Sequence, residues 1–580
     1  MPQREAKHAL PARILNRFHA RASTRAKTAT AFVSHPEPRS IGLYARGKQL
    51  VAGNFLFAGS LVEDTRKSIW QIDPPSPEFA EELHGFGWLD DLAAVGDPPA
   101  RTRAQAWLWD WISLYGRGRG PGWTPELTGR RLLRWISHAI FLLHGSDKAQ
   151  SDAFYRSLAQ QTLFLGRRWP AARSGLPRFE ALTGLLYAGL SLEGMEQHVA
   201  PAKRALAAEC KARIDAEGGI STRNPEELLD VFTLLTWAAG ALDDVGQKPL
   251  HDHLDAIDRI TPTLRTLRHA DGSLARFHGG GKGIEGRLDH ALAASGLKSR
   301  MPDGLSMGYA RLSAGRTSVI IDAAPPPKGR DSHDAHASTL AFELTSGRRP
   351  LIVNCGSGAS FGAEWRRAGR ATPSHSTLCI DGYSSARLVG GTGRRRDQIA
   401  DGPSRVPVEM GHAPDGFRFQ GGHDGWVGTH GLTHARTLEL THDGIGLFGE
   451  DLLVALDPPD RKRLNKRLAE ALDPGILFHV RFHLHPEVDA EIDMGGTAVS
   501  LALKSGELWV LRTDGSIEMT LEPSVYLEKG RLKPRACHQV VLTSRATDAA
   551  SRVRWSLAKA QDSPLHVRDL NPDLIPAAQD

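Results

Sequence analysis

The apolar positions of this chain follow two different periods. Between about residues 85 and 300 they recur at i, i+3, i+4 and i+7, as in GRRLLRWISHAIFLLHG (129–145), FYRSLAQQTLFLGRRW (154–169), FEALTGLLYAGLSLEG (179–194) and PEELLDVFTLLTWAAGAL (225–242). That spacing predicts amphipathic helices. Asn224 followed by Pro225 reads as an N-cap and a first-turn proline. Successive helices of this kind bury their apolar faces against one another, and a helical toroid or solenoid is the expected result.

From about residue 306 the period is two. SVIIDA, LAFELTS, PLIVNCG, TLCIDG, TLELTHDG, FHVRFHLHP, AVSLALKSG, ELWVLRTDG and HQVVLTS are short runs closed by Gly, Asp, Asn or Pro, which predicts strands. The HDG, KSG and TDG junctions suggest hairpins of an antiparallel β-sandwich or super-sandwich. In FHVRFHLHP, Phe478, Val480, Phe482 and Leu484 fall on one face and His479, Arg481, His483 and His485 on the other. The fold class expected is multidomain α+β, an (α/α) toroid followed by antiparallel sheets. The boundaries are a basic arm at 1–50, helices at 51–300, sheets at 301–557 and a tail at 558–580.

At 580 residues the chain exceeds one core. No apolar run reaches the length of a membrane span. The four cysteines (Cys210, Cys355, Cys379, Cys537) are scattered, which indicates neither a disulfide framework nor a thiolate zinc site. Charge is unevenly placed: residues 1–50 carry ten Lys or Arg against Glu5 and Glu37, leaving 62 basic and 64 acidic residues elsewhere. Arg13, Arg17, Arg21 and Arg25 form a helical stripe beside Ile14, Leu15 and Phe18. A solvated first helix is the plain reading of this stripe, and an anionic membrane surface is the functional one. Nucleic acid is not an expected partner. The N-terminus lacks the pattern of a secretory signal, so the cytoplasm or the inner membrane surface is the expected location.

Candidate chemistry concentrates at 332–382, where His333, His336, Asn354, Arg366, Arg367, Arg370 and His375 lie between short strands. Imidazoles and guanidiniums together bind and polarise an acidic substrate. His336, His375 and Asn354 make a weak metal set, because zinc prefers N, S or anionic O ligands. No cofactor is required by any pattern, and a structural zinc is the one candidate. His423 and Trp426 in HDGW offer an aromatic platform or a hairpin turn, and Arg481 with His483 lines either an anionic groove or solvent.

This segment, with GFGWLDDL near residue 85, TRNPEELL, RHADGSLARFHGGG, GYARL, HDGW and FHLHP, resembles the heparinase II/III family of polysaccharide lyases over most of the chain. The resemblance implies β-elimination on a uronate-containing glycan in a groove between toroid and β domain. Such a reaction must neutralise the carboxylate, remove the neighbouring proton and protonate the leaving oxygen. By that resemblance Asn224, with Arg223, would neutralise the carboxylate. His278 stands where relatives carry a proton-transferring Tyr, and His336 and His375 would position substrate or share acid–base work. The chain departs from the family at Asp334 (first His of H-x-H-x-D), at Ser338, and at Asn354 (a metal-binding Asp). The Tyr expected before His375 is also missing. Related lyases are commonly periplasmic, which makes the envelope the alternative location. A glycan-binding or envelope-assembly protein is the second function, and a glycoside hydrolase needing two paired carboxylates the third.

Overall fold

The computed structural model describes residues 2–25, 29–34, 37–64, 67–297, 304–390, 396–471, 473–513, 515 and 517–562, with side chains from residue 11 onward. The chain divides into two compact units. The first comprises Met1–Gly218, Leu229–Thr261 and His290–Lys298, and the second Gly219–Leu228, Pro262–Asp289 and Ser299–Asp580. A single boundary near residue 300 is therefore corrected. The loops at 219–228 and 262–289, expected in the helical half, join the sheets. The expected tail starts too early, since the strand Ala550–Gln561 runs through it, and residues 563–580 lie outside the described residues.

The first unit is helical. Its helices include Pro77–Gly85, Pro98–Tyr115, Pro125–Ser137, Lys148–Arg168, Leu176–Ser191 and Val199–Arg213. Ser76, Asp97, Thr124 and Asp147 each accept the backbone N–H three residues on, and three of these helices begin with proline; this is how a helix start satisfies its orphan donors. The long run 129–145 is not one helix, because it breaks at His138. Pro125–Ser137 and Leu176–Ser191 cross at Gly129 and Gly184. A Cβ on Gly184 would lie 2.4 Å from the Gly129 carbonyl oxygen, and one on Gly129 2.3 Å from that of Glu180, so only glycine permits the approach.

Trp88, Trp107, Trp111 and Trp135 fill the interior around Arg131, which is wholly buried. Its guanidinium sits 4.2 Å from the Trp111 ring and donates to Gln161 Oε1 and to the carbonyls of His84 and Gly122. Burial away from water lowers its pKa to about 9.

The basic arm begins with a helix, Pro2–Ser23, seated in the first unit through buried Asn16 and Ala20, with Arg168 Nε donating to Asn16 Oδ1 at 2.7 Å. Its opposite side leaves Ile14 and Phe18 58% and 63% exposed beside Arg13, Arg17 and Arg21.

The second unit is a sandwich of two antiparallel sheets. One runs Val408–Ala413, Gly416–Trp426, Leu432–Thr441, Gly446–Val454, Ala550–Gln561, Leu508–Thr513, Ala498–Leu503, Val488–Asp493. The other runs Glu518–Tyr526, Arg535–Ala546, Ile476–Leu484, Arg349–Val353, Phe342–Ser346, Thr317–Asp322, Tyr309–Ala314, with Leu378–Ile380 also on Ile476–Leu484. Phe342, Phe482 and Trp555 meet between the sheets, the Phe482 and Trp555 ring centroids 4.8 Å apart. The alternation in Ile476–Leu484 holds: Phe478, Val480, Phe482 and Leu484 are all buried. HDG and KSG are hairpin turns, whereas the strand after TDG belongs to the other sheet.

Candidate functional site

The two loops that join the sheets bring Arg223, Asn224 and His278 to the strand Thr317–Asp322 and to the segment 332–340. Arg223 adopts φ +51°, and its carbonyl accepts the Tyr309 hydroxyl at 2.5 Å. The guanidinium is buried and all five of its N–H groups are taken. Nε donates to Met307 O, Nη1 to Ala324 O and Pro325 O, and Nη2 to Gly308 O and Asp322 Oδ1 at 2.6 Å. Arg223 is thus a clamp within the second unit and has no donor left for a substrate carboxylate. Burial opposes its charge, but Asp322 and Tyr309 outweigh this and raise its pKa.

Asn224 is the N-cap that the sequence suggests: its Oδ1 accepts from the backbone of Glu226 and Glu227 at 3.0 and 3.2 Å. Its Nδ2 meets no acceptor among the described residues.

His278, at φ +46°, is almost fully buried. Its Nδ1 accepts the His336 backbone N–H at 3.1 Å, so the neutral ring carries its proton on Nε2, which faces Asp322 Oδ2 at 3.4 Å. Burial, then the nearby Arg223, holds its pKa well below the usual histidine range. Both ring nitrogens therefore face partners within the second unit.

His336 and His375 do meet. His375 Nδ1 donates to the Ala371 carbonyl at 2.9 Å, which leaves Nε2 as a lone pair that accepts from His336 Nδ1 at 3.0 Å. The chain of tautomers ends at His336 Nε2, a lone pair with no partner among the described residues. Burial lowers the pKa of His375 to about 4 and holds that of His336 well below the usual histidine range, so both are neutral near pH 7.

Arg370 braces this pair. Its Nε donates to Ala335 O and its Nη2 to Ser332 O, while Nη1 is buried without a partner among the described residues. Asn354 does not join as a metal ligand. Its Oδ1 accepts the Ser376 N–H at 2.9 Å and its Nδ2 lies toward Glu343. Two imidazoles already bonded to each other fall short of a closed zinc shell, and among the described residues no three His, Cys, Asp or Glu are grouped to hold a metal. The residues do not fit zinc.

The remaining candidates lie elsewhere. Arg366 is held by Asp334, Asp397 and the His333 carbonyl, whereas Arg367 is exposed. His423 and Trp426 are core residues and form no platform. His423 Nε2 meets His434 Nδ1, and His434 Nε2 donates to Asp451, which also pairs with Arg436. Arg481 and His483 are engaged within the second unit, Arg481 toward Glu522 and Gln539, and His483 toward Ser524 Oγ at 2.8 Å and the Pro373 carbonyl. Asp322, which organises Arg223, His278 and Ser338, is missed by the sequence analysis. At the end of the apolar run SVIIDA it looks like any strand-terminal residue.

A helical toroid with an antiparallel sandwich, and imidazoles gathered on sheet-unit loops, defines the class of toroid-plus-sandwich polysaccharide-lyase folds. The chain belongs to the heparinase II/III-like family: residues 297–556 match the family described as heparinase II/III-like, C-terminal. It is 33% identical over 532 residues, covering 89% of this chain and 88% of the relative, to FtsZ-localized protein C of Caulobacter vibrioides (strain NA1000 / CB15N). Among solved structures it is similar to heparinase III (TM-score 0.66, 14% identity, 97% of this chain and 91% of that one). It is also similar to a heparan sulfate lyase mutant from Pedobacter heparinus (TM-score 0.58, 15% identity, 95% and 89%). A third is the chondroitin AC lyase of Streptomyces coelicolor A3 (TM-score 0.51, 11% identity, 89% and 78%). At these identities the structures establish the fold.

Proposed function

We propose that this chain is a lyase-fold protein that binds an acidic glycan at the cell envelope without cleaving it. The observation that carries this reading is the internal commitment of Arg223 and His278. The guanidinium has no free N–H and the imidazole no free nitrogen, so one group expected to neutralise the carboxylate and the one expected to shuttle the proton of an elimination are withdrawn. Similarity to an FtsZ-localized protein supports a place in an FtsZ-associated assembly at the envelope. Glycan recognition is the part of the lyase reading that survives the loss of turnover. The test is ultraviolet absorbance during incubation with heparan sulfate, chondroitin, hyaluronan and alginate, paired with calorimetric binding to the same polymers. Binding with flat absorbance is expected. Absorbance that rises and is lost in Asn224→Ala would overturn the proposal.

A rising signal would instead support the lyase reading, which two groups favour: the unpartnered Asn224 Nδ2 and the lone pair on His336 Nε2. In that reaction Asn224 would hold the carboxylate and His336 would take the proton, with the His375–Ala371 chain fixing its tautomer. Hydrolysis has less support, since Glu226 is paired with Lys529 Nζ and the Gly281 N–H.

The Ile14, Leu15 and Phe18 face of Pro2–Ser23, flanked by Arg13, Arg17 and Arg21, supports a peripheral seat on an anionic membrane. Flotation with phosphatidylglycerol vesicles is expected to recover the chain. Phe18→Asp should lose most of that recovery, and an unchanged recovery would remove the helix from the membrane.

A further inference from the structure

The helix Pro458–Glu470 is inserted between the strands Gly446–Val454 and Ile476–Leu484. It rests on the second unit through buried Leu464 and Asp460 and half-buried Leu468. Its exposed surface is dominated by basic residues. Lys462 and Lys466 stand one turn apart on the crest, opposite Leu464, with Arg461 on one flank and Arg463 and Arg467 on the other. Glu470 is the exposed acid of the helix, and it is drawn toward Lys466 and Arg467. Lys462 has no partner among the described residues. Arg463 and Arg467 are pre-set: Arg463 Nη1 donates to the Val427 carbonyl at 2.7 Å and Arg467 Nε to the Thr429 carbonyl at 2.9 Å. These bonds fix the two guanidiniums before any partner arrives.

Two exposed apolar groups border the cations. Leu456, 57% exposed, immediately precedes the helix cap Asp457. Tyr383, 40% exposed, packs edge-on against His430 at 4.5 Å. His430 ends the short helix Val427–His430, whose carbonyls hold Arg463 and Arg467.

We propose that Pro458–Glu470, with Leu456 and Tyr383, is a docking surface for an acidic peptide segment of a partner protein, one that interleaves carboxylates with apolar side chains. The five cations supply the charge complement, which sets encounter rate and specificity. Leu456 and Tyr383 supply apolar contacts that a sulfated glycan does not need. A lipid surface fits poorly, because the outward face carries no large apolar residue to enter a bilayer, unlike Pro2–Ser23. The proposal is independent of whether the Asn224–His336 region turns over a glycan.

The test is fluorescence anisotropy of the full chain with a labelled 14-residue peptide alternating Asp or Glu with Phe and Leu. A heparin oligosaccharide and phosphatidylglycerol vesicles run in parallel. Lys462→Glu with Lys466→Glu should weaken peptide binding about tenfold and leave the thermal midpoint unchanged, because both side chains are exposed. Arg13→Glu with Arg17→Glu should leave peptide binding as it was. Three results each overturn the proposal: equal peptide affinity in the Lys462/Lys466 variant, equal binding of a peptide with Asn and Gln in place of its acids, or a loss confined to heparin or vesicles.

Discussion

Replacing Arg223 by alanine separates a clamp from a ligand-binding residue. In the clamp, the guanidinium faces Asp322 Oδ1 at 2.6 Å with no exposure of the carboxylate, and it ties down four carbonyls on 307–325. Removing one member of a buried ion pair leaves the other charge unsolvated, at a cost of about 3–5 kcal/mol. For a unit of this size that is a fall in Tm of about 4–7 °C, read by scanning calorimetry on the full chain. Asp322→Asn in the Arg223→Ala background should recover part of the loss, because a buried amide costs less than a buried carboxylate. A change in Tm of under about 1 °C together with a loss of glycan binding would refute the argument. Arg223 would then be a substrate group after all.

Two further outcomes follow from burial and packing. His84 and His483, with pKa values held near 3, and His253, near 4, are lowered chiefly by burial. The unfolded chain therefore takes up protons first, and stability should decline as pH falls below about 6.5 toward those folded values. At pH 5.5 each histidine costs about 1.4 kcal/mol, about 4 kcal/mol together, so urea midpoints that match at pH 7.5 and 5.5 would contradict the buried neutral state. Gly184→Leu should destabilise the first unit by about 1–3 kcal/mol or more, because even its Cβ would overlap the Gly129 carbonyl. A normal calorimetric transition for that variant would mean the two helices can part freely.

Elements with a clean period were legible in the sequence. Phe478, Val480, Phe482 and Leu484 announced a half-buried strand, and Asn224 with Pro225 announced a helix start. Elements without one were not. Gly416–Trp426 is interrupted by three glycines before its end, and it looked like a hairpin turn with a sugar platform, whereas Trp426 packs inside. Pro458–Glu470 buries so little that its apolar signal is two leucines, Leu464 and Leu468, and its cations hide it among surface residues.

The same reason limits the site. Residue types at 223, 278, 336 and 375 pointed to proton chemistry, but the groups that decide their behaviour are distant in sequence. Asp322 lies 99 residues from Arg223, and no local pattern shows that His278 Nδ1 is occupied by a backbone N–H from residue 336.

The return of 219–228 and 262–289 to the second unit has a consequence for biosynthesis. These two segments leave the ribosome before the strands they complete, so Arg223 must wait for Asp322 while the intervening chain is made. The sheets cannot close as a late, self-sufficient module. A fragment beginning near residue 300, although it contains the family-matched stretch, would be translated without the guanidinium and imidazole that cover Asp322. Such a fragment is expected to stall as an incompletely packed species, and the working genetic unit is therefore longer than the sheet region itself.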